Sequence, residues 1–212
     1  MPYPSKTEPE RLADFVVHAV SLFGFAVAAA FLIGAAVERS EPSIVAASVV
    51  YALAVLASIA VSFAYHLHPR HDWRAMLRRW DHAVIYLLIA ATFSPLLIAA
   101  GTPSALGILA VIWVCALVGV WFKLSGDNGD SRWSLVSYLG MGGFAFLALP
   151  DMWTQLPQAC TYAVAAGGAF YALGTRVYRR KGMPYRYPIW HVFGTLGGTC
   201  FVVAVWIAVS PY

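Results

Sequence analysis

What most constrains this chain is where charge is missing. Asp, Glu, Lys and Arg are absent from 15–37, 42–69, 82–122, 133–150, 152–175 and 187–212. About 20 helical residues cross a hydrocarbon core of about 30 Å, and apolar runs of roughly 18 or more mark such crossings. Only 11% of the 212 residues are charged and 60% are hydrophobic, against roughly a quarter charged in a soluble domain. The expected solvent is therefore the bilayer. Five of the runs hold one helix each. The run 82–122 is twice as long and carries Gly101-Thr102-Pro103-Ser104 near its middle, a helix-breaking turn signal, so it holds two. The expected fold is an all-α, seven-transmembrane helix bundle with spans near 14–37, 43–66, 81–100, 104–124, 133–149, 159–178 and 189–209. A short tail, 1–13, precedes a single membrane domain, 14–212. The first span is too long for a signal-peptide apolar region and lacks a small-residue cleavage site, so it reads as retained.

Lys and Arg fix the expected orientation, because cytoplasmic loops carry the positive excess. Thirteen of the fourteen fall on one side of a seven-span chain: Lys6 and Arg11; Arg70, Arg74, Arg78 and Arg79; Lys123 and Arg132; and Arg176, Arg179, Arg180, Lys181 and Arg186. Arg39 alone falls on the other. This places the N-terminus in the cytoplasm and the C-terminus outside, in a multi-pass cell-membrane protein. Topology and attraction to anionic headgroups explain the basic balance; membrane lipids are the expected partners and nucleic acid is not. Cys115, Cys160 and Cys200 lie in or beside spans without metal-type spacing and read as small packing residues. The sequence does not give the oligomeric state.

Loops are short and no soluble domain is appended, so any chemistry lies in the bundle or at its mouths. Ionisable side chains within a membrane are expensive and are functional candidates by default. Here they gather at one end: Asp14 and His18 on helix 1, Ser62 and His66 on helix 2, Asp81 and His82 on helix 3, Tyr187 and His191 on helix 7. Residues four apart share a helix face, so Asp14/His18, Ser62/His66 and Tyr187/His191 each project as a unit. Imidazoles from separate helices, a carboxylate and a nearby hydroxyl make a donor set for zinc with an activated water. The plainer reading is a hydrogen-bonded polar cluster, and a single His at a helix end usually is one. His68 and His71, flanking Pro69-Arg70, read as solvated or interfacial. His82 points about 100° away from Asp81 around the helix and reads as a packing or hydrogen-bonding residue.

The motifs resemble the hemolysin III family, the bacterial branch of the progestin and adiponectin receptor (PAQR) superfamily, over nearly the whole chain. The resemblance rests on Glu10-Arg11-Leu12-Ala13-Asp14 with His18, Ser62-Phe63-Ala64-Tyr65-His66, and Arg79-Trp80-Asp81-His82-Ala83-Val84-Ile85-Tyr86. It extends to Thr92-Phe93-Ser94-Pro95, to 167–174 and to Ile189-Trp190-His191. It implies seven spans with the N-terminus inside, and a zinc site near the cytoplasmic face. His66 and His191 would be ligands, Asp81 would hold or activate the zinc-bound water, and Ser62 would support the ligands or an oxyanion. One position departs from the family pattern. The first His of the helix-7 pair is Tyr187, whereas a catalytic zinc normally has three protein ligands and a water. Three arrangements stay open: Asp81 or His18 completes the shell, Tyr187 ligates as phenolate, or the metal is lost and a polar cluster remains.

Two functions compete on this footing. The first is a zinc-dependent hydrolase of a membrane lipid amide or ester, its substrate class coming from superfamily members that resemble ceramidases. The second is a non-enzymatic receptor-like, lipid-sensing or membrane-permeabilising protein, which Tyr187 favours. Ion or proton transport ranks lower, because no ionisable chain leads outward from the polar end.

Overall fold

The computed structural model describes residues 2–39, 41–125 and 131–210, with backbone alone at 131–133. The centre of the expected fourth loop, 126–130, and the last two residues lie outside it. Eight α-helices are present among the described residues: α1 (Glu8–Arg39), α2 (Pro42–Leu67), α3 (Arg74–Ala100), α4 (Pro103–Ser125), α5 (Ser131–Ala145), α6 (Leu149–Gln155), α7 (Gln158–Tyr178) and α8 (Arg186–Val209). Six helical stretches are long and apolar enough to cross a membrane: Glu8–Arg39, Pro42–Leu67, His71–Ala100, Pro103–Ser125, Ser134–Gln155 and Arg186–Val209. Helix α7 is 21 residues long but more polar, with Thr161, Tyr162, Tyr171, Thr175 and Arg176 along it.

Local chemistry sets the helix ends. Pro42 opens α2, where its missing N–H leaves nothing unsatisfied. Pro69 ends α2 by driving His68 to φ −63°, ψ 132°, as residues before proline prefer. Gly101 closes α3 at φ 68°, its N–H donating to the Leu97 carbonyl at 3.1 Å, the left-handed stop that glycine permits. Thr102 then accepts from Ala105 N–H at 3.1 Å, and Asp151 Oδ1 accepts from both Thr102 and Ser104 at 2.6 Å. Asp151, expected in a loop, therefore sits on α6 and ties it to the start of α4. The expected span 133–149 is two helices joined through a 3-10 turn, Phe146–Ala148. Pro150 does not end it, because proline is tolerated in the first turn of α6.

Helix α3 is the centre of the bundle. In its apolar window 67% of residues are buried, against 22–33% in the other five candidate spans. It packs on α2, α4, α5, α6 and α8, while α1 bridges α2 and α8, and α7 lies along α8. The α7/α8 approach depends on small residues: a Cβ on Gly197 would meet the Gly167 carbonyl at 3.1 Å and the Tyr171 ring at 2.8 Å. Such close backbone approach replaces the hydrophobic drive that lipid cannot supply. Outward-facing Phe23, Phe31 and Trp121 remain exposed, as expected for side chains whose solvent is hydrocarbon.

Candidate metal centre

The start of α1, the end of α2 and the starts of α3 and α8 lie at the same, basic end of the bundle, and their polar residues meet there. Asp14, His18 and His66 are all but fully buried, at 0%, 3% and 2% exposure. His66 Nδ1–H donates to Asp14 Oδ2 at 3.0 Å. That leaves His66 Nε2 with its lone pair, and it stands 3.4 Å from His191 Nε2. The His66 and His191 rings are 4.7 Å apart, nearly perpendicular at 84°. Asp14, His66 and His191 each offer one ligand atom, all within 4.8 Å of one another.

These residues fit zinc. Two nitrogens about 2.0–2.1 Å from one tetrahedral zinc stand about 3.3–3.4 Å apart, close to the spacing found here. A carboxylate holding the far nitrogen of a ligating His is the usual support for such a metal, fixing tautomer and ring orientation. Asp14 also has Oδ1 buried and without a hydrogen-bond partner among the described residues. An unmet buried carboxylate oxygen is costly, and a cation bound nearby would offset that cost.

His18 and Ser62 stand beside this group. His18 Nδ1–H donates to the Asp14 backbone carbonyl at 2.7 Å, leaving Nε2 to accept from Ser62 Oγ–H at 3.2 Å. The Asp14/His18 pair thus projects together, but its contact is through backbone, and the Asp14 carboxylate turns to α2 instead. His18 lies 4.3 Å from His191 ring to ring, with both its nitrogens engaged or aimed elsewhere. Tyr187 and His191 both flank His66, the Tyr187 ring 5.1 Å away and edge-on. Tyr187 is stacked by the Arg186 guanidinium at 4.4 Å. Asp81 is half-buried, beside Ser62 and facing His66. His68 stacks on Trp73 at 5.1 Å, and the His82 carbonyl accepts from Tyr138 Oη–H at 2.7 Å. All three cysteines are free thiols, Cys160 donating to the Ala204 carbonyl at 3.2 Å.

The cluster opens into a cavity of about 670 Å³, within the range of small-ligand pockets. Ser62, Asp81 and His191 line its polar end, and Phe93, Phe146 and Phe201 line the deep end. A polar head group and an apolar tail would match those two ends. The carboxylate at the imidazoles, Asp14, was legible as a buried acid but not as His66's partner. Ser5 was missed altogether: it is 3% exposed and its hydroxyl donates to Asp14 Oδ2.

Long apolar helices around a buried imidazole–carboxylate cluster define an integral membrane protein with a polar, metal-capable pocket near one end. The family model described as "Haemolysin-III related" matches residues 9–207, and the chain belongs to that family. It is 29% identical over 196 residues to "Hemolysin-3" of Bacillus cereus, covering 91% of this chain and 88% of that protein. It is 28% identical over 195 residues to "Hemolysin-3 homolog" of Bacillus subtilis (strain 168), covering 91% of each.

Proposed function

We propose that this chain crosses a bacterial inner membrane seven times with its N-terminus in the cytoplasm, holds zinc through His66 and His191, and hydrolyses a membrane lipid amide or ester. The observation that carries the chemistry is the 3.4 Å approach of two imidazole Nε2 atoms at the head of a cavity that is polar at one end and aromatic at the other. Bound zinc would supply a water of lowered pKa and polarise the carbonyl. Asp14 keeps His66 in the tautomer that leaves Nε2 free. Asp81, on the cavity side of the cluster, takes the proton from the attacking water and returns it to the leaving group. The Ser62 hydroxyl, shared with His18 at rest, turns to the developing oxyanion. The aromatic end takes the acyl chain and keeps water from it. Detergent-purified protein is expected to carry about one zinc per chain by elemental analysis. His66→Ala and His191→Ala should lose it while keeping their helical circular dichroism, and a zinc-free wild type would end the proposal.

The seventh crossing is α7. At 1.5 Å per residue its 21 residues reach roughly 31 Å, and it packs along α8 with Arg176 at the basic end. An alkaline phosphatase fused after Tyr212 is therefore expected to be active, since only the periplasm lets it fold, whereas a fusion after Lys123 should be silent. The reverse pattern overturns the orientation.

Two observations favour a second reading. Tyr187 stands where a third imidazole would complete the ligand set, and relatives are named for hemolysis. On this reading the cluster fixes helix packing in a lipid-sensing or membrane-permeabilising protein, and the zinc measurement separates the two.

A further inference from the structure

We infer that Ser5 is a positioning residue of this site, holding the Asp14 carboxylate on His66 from a segment that precedes the family-matched region; the inference rests on the metal reading above. The chain is turned back toward the site by local chemistry. Thr7 and Glu10 form a capping box: Glu10 N–H donates to Thr7 Oγ1 at 3.4 Å, while Glu10 Oε2 accepts from Lys6 N–H at 3.0 Å and Thr7 N–H at 3.1 Å. Arg11 secures the fold-back through the Lys6 carbonyl at 3.1 Å. Tyr3 is clasped between two cations, Arg74 at 4.5 Å and Arg11 at 5.3 Å. Arg74 is itself buried and bound to the Tyr65 and His68 carbonyls at the end of α2. Residues 2–6 are thus pinned across the polar end of the bundle, with Pro2 on the cavity wall.

The consequence falls on one atom. Asp14 Oδ2 accepts from both Ser5 Oγ–H and His66 Nδ1–H, while Oδ1 has no hydrogen-bond partner among the described residues. Ser5 therefore fixes which carboxylate oxygen faces His66. Without it the carboxylate can turn about its Cβ–Cγ bond, and the imidazole loses the constraint that aims Nε2 at His191. Partners of this kind are worth about 10- to 100-fold in metal affinity; acting through Asp14, Ser5 belongs at the low end.

The test is chelator competition for zinc with the purified full chain, using the isosteric pair Ser5→Thr and Ser5→Val, which differ in the hydroxyl and not in bulk. Ser5→Val should bind zinc about 10-fold more weakly than wild type and Ser5→Thr within about twofold of it. In an Asp14→Ala background the two should bind alike, because the carboxylate they differ in holding is gone. Equal affinities for Ser5→Val and Ser5→Thr in the wild-type background overturn the inference and leave the functional proposal standing, as does a full 10-fold difference that persists with Asp14→Ala. A wild type that takes up no zinc overturns both. A purely structural Ser5 would move the melting temperature of the metal-free protein without separating Thr from Val in zinc affinity.

Discussion

Asp81→Asn is expected to lower turnover of a lipid amide or ester by about 10²- to 10⁴-fold, the usual worth of a general base, while leaving about one zinc per chain in place. Asparagine matches aspartate in shape and keeps its neighbours, Ser62 and the cavity wall, but cannot take a proton. The measurement is hydrolysis of a short-chain fluorogenic lipid amide in mixed micelles, paired with elemental analysis of the same sample. The pairing separates two roles that the position of Asp81 permits. Loss of turnover with zinc retained makes Asp81 the base, whereas loss of both makes it a ligand. Unchanged turnover removes it from the chemistry.

Tyr187→His should tighten zinc binding by more than the 10- to 100-fold that supporting residues contribute, because it adds a donor to the metal itself. The geometry favours this. Tyr187 lies one turn before His191 on α8, and its ring is 5.1 Å from His66, so an imidazole there enters the space around the two Nε2 atoms. Competition with a chelator of known affinity reads the change directly. Zinc present in the variant alone would mark the natural chain as one that has given up its metal, and would favour the lipid-sensing or permeabilising reading. Equal affinity in the two chains would mean that Tyr187 or a water already fills the position, and would leave the hydrolase reading intact.

The helices were legible because charge is so costly in hydrocarbon that its absence outlines them, and the turn at Gly101 showed through a residue suited to a left-handed backbone. The break at 146–148 was not, since no glycine or proline marks it and Pro150 suits either the end of one helix or the start of the next. Helix α3 begins at Arg74, seven residues before the expected core, because its first two turns carry Arg74, Arg78 and Arg79 and so lie outside the uncharged run. At the site, residue type and depth were readable and partners were not. Spacing four apart brought Tyr187 and His191 to the same imidazole and Asp14 beside His18, yet did not show that the Asp14 carboxylate bonds across to His66 on α2, which packing decides. Thr7-x-x-Glu10 marks the start of α1, but the turn of Ser5 toward Asp14 depends on the contact of Tyr3 with Arg74, far away in the sequence.

The hydrogen bonds and ring contacts of the polar cluster run from Ser5 to His191, so they join the two ends of the chain. Glu10 adds another such link, accepting from the Tyr185 N–H at 3.0 Å just before α8. Asp14, His66 and Asp81 lie on the first three helices of the chain, whereas His191 lies on the last. The buried acid must wait for the last helix before its cluster is complete. Docking of α8 is therefore the step that completes the cluster, because His191 is the last member of the Asp14–His66–His191 group along the chain.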